Sequence, residues 1–369
     1  MRMDQERISL MALHYIPGVG NFLIKQLVSY CGSAEQVFHY TKAKLLKVPG
    51  IGDVTAQSIT EGKARNLAEK EFRKAEKEDT RILFFTDKAY PVRLKPIDDA
   101  PSLLYVKGNI NLNQVKTIAI VGTRQATDYG KEQVEQIIEA LVPHQALIIS
   151  GLAYGIDIHA HKQALKLGLP TVGVLGSGID VIYPAAHKDI AKKMVNQGGL
   201  ITENPFGTKP DAHNFPSRNR IIAGLSDALI VVEAAAKGGA LITAEIANSY
   251  NKDVFAIPGN LGNQYSEGCN KLIKINKANL FTSVKDLEYL MNWNLGNEKN
   301  TNQLSLELPP LDPQELLVLN VLHDKKTPVM IDELSHKTGL GQGALASLLL
   351  SLEFKNMVIS LPGKMYKGR

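Results

Sequence analysis

Six short runs of Val, Ile, Leu and Ala mark the middle of the chain: TIAIVG (117–122), ALIISG (146–151), TVGVLG (171–176), GLITEN (199–204), ALIVVE (228–233) and DVFAIPG (253–259). They are near-continuously apolar. Strands buried on both faces look like this, and such strands belong to parallel sheets. Helix-like stretches start between them, near Tyr129, Asp157, His187, Pro216 and Gly239. Strand and helix in alternation imply right-handed crossovers and predict an α/β fold, a Rossmann-like doubly wound parallel sheet, over residues 79–292. On either side the pattern changes. Residues 1–78 read as short helices separated by Gly-containing turns, followed by the charged run EGKARNLAEKEFRKAEKED. Residues 293–310 are polar and end in Pro-Pro, as a linker does. From 311 to 369 helical periodicity returns over about 312–323, 330–337 and 341–354, before the strand–turn–strand pattern MVISLPGKMYK.

Composition narrows the classes. Lys plus Arg is 42 and Asp plus Glu 37, a formal charge of +5, and no part of the chain is strongly basic, so a nucleic-acid contact must be local and shaped. No run is long enough to span a bilayer, and the N-terminus mixes acids into a broken apolar run, so the expected location is cytoplasmic and no membrane contact is expected. Cys31 and Cys269 stand far apart without metal-ligand spacing, which argues against a disulfide scaffold or a cysteine zinc site.

Open parallel sheets bind ligands beyond their carboxyl edge. The loops there read GTRQATDYG, GLAYGID, GSGIDVIYP, NPFGTKP, AAAKGGALIT and PGNLGNQYSEG, and nearly all place Gly directly after the strand. Glycine admits a ligand to the backbone and opens the next helix with its amides free, so these loops predict a phosphate-binding surface. No complete GxGxxG with a distant acid and no Walker sequence occurs, so no nucleotide cofactor is expected. Arg124 follows the first strand. Arg218 and Arg220 flank Asn219 in FPSRNRII, where they hold phosphates or pair with carboxylates such as Asp211 or Asp227. Lys237 is a further candidate cation, or a solvated loop lysine.

His159 and His161, two residues apart, point to different helix faces and suit local hydrogen bonds better than a shared metal. Asp157 reads as an N-cap, and Ser150 and Ser177 lack a G-x-S-x-G elbow. The expectation is a binding edge with no catalytic residue and no metal. Aromatic residues are sparse at 6%, which argues against a long base-stacking platform. Tyr154, Tyr183, Phe206 and Phe215 nevertheless fall beside the loops, with burial the expected fate of Phe215.

The segments VGTRQATDYG, SGLAYGIDIHAH, GSGIDVIYP, FPSRNRIIAGLS, LITAEIA and VFAIPGN…SEGCNKLI, preceded by DKAYPVRLKPIDDAPSLLYVKGN, together resemble the DNA-processing protein A (DprA/Smf) family over roughly residues 80–285. The resemblance implies a protein that binds and protects single-stranded DNA, helps load the RecA recombinase in natural transformation, and forms a homodimer, with the VFAIPG strand and its neighbours a candidate interface. It also implies a strand pocket at Arg124, Gly151, Ser177, Gly178, Arg218, Asn219 and Arg220, a base near Tyr183, and backbone contacts from Gly238 and Gly239 beside Lys237. KGGALITA departs from the family's usual Ser-Gly-Ser/Ala-Leu, which questions a hydroxyl contact there but not the backbone role.

The flanks add modules. IPGVG (16–20) and VPGIG (48–52) carry the helix–hairpin–helix signature of a SAM-like domain, whose turn amides can meet phosphate, although Lys25, Lys42, Lys44 and Lys47 make only a modest basic surface. Residues 311–369 match a winged helix. GLGQGALASLLLSLE holds its recognition position without a cation before Lys355, so protein contact competes with duplex DNA there; Lys364, Lys367 and Arg369 are the nearby basic group. A phosphoribohydrolase-type nucleotide enzyme is the alternative class. Its PGGxGTxxE loop compares with KGGALITAE, which lacks the Pro and the third Gly.

Overall fold

The structure, a computed structural model, describes residues 5–211, 214–293, 311–325, 328–355, 357–361 and 365–368. The chain divides into two compact units, Met1–Leu295 and Gly296–Arg369.

The first unit is built on one nine-stranded sheet. Its strands are β1 (Thr80–Phe84), β2 (Leu103–Lys107), β3 (Thr117–Val121), β4 (Leu147–Ser150), β5 (Thr171–Val174), β6 (Gly198–Thr202), β7 (Ala228–Val231), β8 (Asp253–Ala256) and β9 (Asn279–Leu280), in the order β1-β2-β6-β5-β4-β3-β7-β8-β9. All six predicted runs are strands, and from β6 to β9 every pairing is parallel. Three strands were not foreseen: β2 pairs antiparallel with β6, β1 antiparallel with β2, and the two-residue β9 parallel with β8.

Alternation sorts the core. Ile118, Ile120 and Ile148 face the helices Asp128–Leu141 and Ile156–Lys166, while Ala119, Val121 and Ile149 face Asn214–Leu225 and Gly239–Ser249. From β3 the chain winds outward through β4, β5 and β6, then returns to β7 on the other side of β3. The winding therefore reverses between β3 and β7, and the crevice beyond their carboxyl ends is where this topology leaves room for a ligand. The strand DVFAIPG is internal, as β8 between β7 and β9.

The N-terminal helices share a core with this body: Ile8, Met11, Leu27 and Ala68 pack in one cluster with Phe84 and Tyr105 of β1 and β2 and with Leu152, Leu175 and Ile179 of the loops after β4 and β5. Both hairpins have the same backbone form. Gly18 and Gly50 take φ +79° and +82°, a region that favours glycine, and Gly20 and Gly52 cap the helices Asn21–Cys31 and Asp53–Glu61 at φ −91°. Neither helix start carries a side-chain cap, but the first side chain of each is engaged. Asn21 Oδ1 accepts from the Ser102 amide (2.9 Å) while its Nδ2 donates to Glu203 (3.2 Å), and Asp53 places a carboxylate on the second start, paired with Lys42 at 2.8 Å.

The second unit has helices Pro313–Asp324, Ile331–Thr338 and Gln342–Phe354 and three strands ordered Val329–Met330, Met365–Gly368, Val358–Leu361. Leu322, Leu334, Leu345, Leu349 and Leu352 fill its core. Glu315 is buried and charge-paired: Lys355 donates at 2.6 Å and Ser351 at 2.7 Å, holding its carboxyl below the usual range. The third helix exposes Gln342, Ala346, Ser347, Leu350, Glu353 and Phe354. Lys364 and Arg369 lie outside the described residues, as do residues 294–310 of the predicted linker 293–310; its first residue, Trp293, is instead buried in the core with Phe255 and Leu287.

Candidate nucleic-acid interface

A cavity of about 310 Å³ opens at the β3–β7 crevice, and Arg124, Asp157, Phe215, Arg218, Lys237 and Gly238 are among its walls. Arg218 comes from the early turns of Asn214–Leu225. It is only 7% exposed, and its Nη1 donates to the Val174 carbonyl at 3.0 Å. Such depth is possible because residue 151 is glycine: a Cβ there would lie 1.7 Å from Arg218 Nη1 and 2.5 Å from an Asp157 carboxylate oxygen. Gly151 thus serves by its missing side chain. Its carbonyl accepts from His161 Nε2 at 2.6 Å, and burial pushes that imidazole down to about 4, so it is neutral at physiological pH.

Asp157 is not the N-cap. Gly155 holds that position without a side-chain bond, and Asp157 follows in the first turn. Burial pushes its carboxyl up, and the Arg218 guanidinium counters by favouring the charged form. Burial likewise lowers Arg218 while Asp157 raises it, and a guanidinium stays charged at any ordinary pH. Arg218 Nε is buried with no partner. An orphaned N–H on a buried cation is costly, and such a group is satisfied when a ligand accepts from it.

Arg124 is exposed but its backbone is pinned. The Thr123 amide donates to Glu233 (2.7 Å), the Thr123 carbonyl accepts from Ile156 (3.1 Å), and Gly155, at φ +77°, sits so close that a Cβ would meet the Thr123 carbonyl at 2.2 Å. The Arg124 guanidinium lies 5.4 Å from the centre of the Phe215 ring and Arg218 5.9 Å from it. Phe215 therefore spaces two like charges across an aromatic face, where each is attracted to the ring. It is half-buried and lines the pocket instead of sinking into the core.

The opposite wall is the start of Gly239–Ser249. Its N-cap, Gly238, is extended (φ 168°, ψ 166°) and offers no side-chain cap. A Cβ on Gly238 or on Gly239 would meet nothing within 4 Å. Neither glycine is demanded by backbone strain or packing, so what they leave is an open positive helix end. Asn219 Nδ2 reaches the Gly239 carbonyl (3.4 Å) and Lys237 stands exposed beside it. On the other flank Tyr183 is 51% exposed with its ring 6.3 Å from Phe215, and Tyr154, 50% exposed, is steadied edge-on by His187 at 4.8 Å.

Five candidate residues do not line this cavity: Tyr183 lines the adjoining cleft, and Gly151, Ser177, Gly178 and Arg220 line neither. Arg220 faces away and is held by the Glu203 carboxylate and the Asp99 carbonyl; the predicted pairing with a carboxylate applies to Arg220, through Glu203 instead of Asp211 or Asp227. Asp227 is taken by Arg93 at 2.6 Å. Ser177 Oγ donates to the Val181 carbonyl (2.6 Å), and the Gly178 amide donates to Thr208 (2.9 Å), so both residues tie loops together. Sequence reasoning missed the use of Asp157 as counter-charge. Its signal was an acid six residues beyond Gly151, the βα glycine that the arginine requires.

The profile of the family described as DNA recombination-mediator protein A matches residues 81–292, more than half of the chain. The chain belongs to this family. Profiles for a DprA winged helix domain and a SAM-like helix-hairpin-helix tandem match residues 304–364 and 11–62. Among curated relatives of this recombination-mediator family, Protein Smf of Synechocystis is 32% identical over 99% of this chain and 100% of its own. DNA processing protein DprA of Streptococcus pneumoniae is 43% identical over 54% of this chain and 71% of its own. Two solved structures resemble this one: that of DprA from S. pneumoniae (TM-score 0.68, 34% identity, 78% of this chain and 98% of that one) and that of DNA processing protein A from Helicobacter pylori, described for its single-stranded DNA binding mode (TM-score 0.53, 28% identity, 58% and 95%). No helix among the described residues is long and apolar enough to cross a membrane.

Proposed function

We propose that the β3–β7 pocket binds single-stranded DNA and that the protein delivers the strand to a RecA recombinase in the cytoplasm. One observation carries the reading: a buried Arg218 with an unpartnered Nε, an exposed Arg124 and an open helix start converge on one cavity at the sheet's switch point. Phosphate satisfies all three. A base stacks against Phe215 and Tyr183, which a duplex would keep paired and out of reach. The H. pylori relative's single-strand binding mode and the family's description as recombination mediators support the same reading. Homodimer formation is part of it. Edge strand β9 is exposed, with Leu280 at 48% and the nearby Leu290 at 46% and Tyr289 at 85%.

The test is fluorescence anisotropy of a labelled oligo-dT beside a duplex of equal length, across a salt series. Preference for the single strand is expected, with a log–log slope of about −0.7 for each phosphate neutralised. Equal affinity for duplex, or no binding, overturns the reading.

A further inference from the structure

We infer that the single strand does not end at the pocket but continues over Arg124 into a second groove, where Lys162 and Lys131 take the next phosphates. The inference rests on the single-strand reading above and extends its footprint.

An open groove of about 500 Å³ runs beside the pocket, walled by Arg124, Tyr154, Gly155, His159, Lys131 and Lys162. Arg124 lines both this groove and the β3–β7 cavity, and it also lines, with Tyr154, Tyr183 and Phe215, the small cleft joining them. The three depressions therefore meet at Arg124. The cavity holds one phosphate among Arg218, Arg124 and the Gly238–Gly239 amides, and the cleft offers the faces of Tyr154 and Tyr183 to a base. The groove then receives the backbone that follows.

The charges beyond Arg124 are unequal in use. Lys131 is tethered to Asp128 at 2.9 Å, with Asp128 itself wholly solvent-exposed, and His159 is held by Glu135 at 3.0 Å. Lys162 is exposed and makes no ion pair among those the structure shows. It projects from Ile156–Lys166, whose residues 158, 159 and 162 share a side of the helix and line this wall. Lys162 is thus a free cation on a groove wall, and Lys131 is a cation whose exposed partner yields to a phosphate at little cost. Neither helps hold the fold, so their removal tests binding alone.

The experiment uses the full-length chain with labelled dT3 and dT20 in a salt series, comparing wild type, Lys131→Ala/Lys162→Ala and Arg218→Ala. A short oligomer fills only the pocket; a long one reaches the groove. For the lysine double variant, dT20 affinity should fall about five-fold per lost contact at 0.1 M salt, the factor a slope of ~0.7 gives over one decade of salt. The log–log slope should become shallower by about 1.4 for the two contacts together, while dT3 binding stays as in wild type. Unchanged dT20 affinity and slope overturn the groove assignment. If Arg218→Ala binds both oligomers like wild type, the pocket reading has failed; if it loses both while the lysine variant matches wild type, the pocket stands and the groove does not. Equal loss on dT3 and dT20 in the lysine variant also overturns the groove, because it places the lysines on the pocket.

Discussion

Two helices start side by side at the carboxyl edge of the sheet, and the protein treats them in opposite ways. At Asp128–Leu141 the start is filled: Thr127 caps it, and the buried Glu233 carboxylate accepts from both the Thr127 amide (3.0 Å) and hydroxyl (2.5 Å). Gly130 makes room, since a Cβ there would lie 2.1 Å from that carboxylate. At Gly239–Ser249 there is no side-chain cap, no acid in the first turn, and empty space over both glycines. Glycine at a helix start is spent on the fold in one place, as Gly130 in the first turn, and left for a ligand in the other, as Gly238 and Gly239. A binding site is thus marked by what the protein declines to satisfy, and the same test separates Arg218 from Arg220.

The largest effect expected from breaking that contrast is at Arg218. Arg218→Met should weaken oligo-dT binding by about 10- to 100-fold, the weight of one or two charged hydrogen bonds. It should also destabilise the fold by about 3 kcal/mol, because Asp157 is left buried without its counter-charge. The pH dependence follows from sign. Burial already raises Asp157 above its ordinary 3.8, so the folded state holds its proton more tightly than the unfolded chain. The cost of ionisation is absent below the ordinary value and complete above the raised one. Losing Arg218 raises it further, so the deficit in urea melts should be larger at pH 8 than at pH 5. Wild-type affinity in folded Arg218→Met would sink the pocket.

Glu233→Ala comes next and should act on the other side of the comparison. It strands the Thr127 amide and empties the filled start, costing about 1–3 kcal/mol in a urea melt, while oligo-dT affinity stays within about two-fold. A comparable loss of binding would mean that the two helix starts form one site. Arg220→Ala should show the same pattern more weakly, about 1–2 kcal/mol from the lost Glu203 contact, with binding intact. Loss of binding without loss of stability would return Arg220 to the strand.

The parallel sheet was legible because β3 to β8 are continuous apolar runs and no other arrangement hides both faces of such strands. β1 and β2 escaped. Each carries a charged residue, Arg81 or Lys107, in a segment that follows helical or polar sequence, and β9, also missed, has only two residues. The pocket was half legible. Arg124, Arg218, Asn219, Lys237 and the glycine pair lie on it, as their place after the strands implied. What sequence could not resolve was occupancy: Arg218 and Arg220 read alike two residues apart, yet one is turned to the cavity and the other to Glu203. That difference is set by Gly151, Asp157 and Glu203, which lie far away in sequence and next door in space. Phe215 was expected inside because Phe is usually buried, and it lines the pocket because two cations need its ring between them.

The smallest predicted change sharpens the comparison most. Gly239→Ala keeps the backbone of a helix's first residue, meets no neighbour within 4 Å, and removes a flexible residue from the unfolded chain. Stability should hold or rise by about 0.4–1 kcal/mol. The added methyl group projects into the space a phosphate needs to reach the first amides, so oligo-dT affinity should fall about three- to ten-fold, the worth of roughly one hydrogen bond to a charged group. Opposite signs for stability and binding cannot come from a damaged fold. If binding instead survives, phosphate rests on Arg124 and Arg218 alone, and the open helix start contributes field without contact.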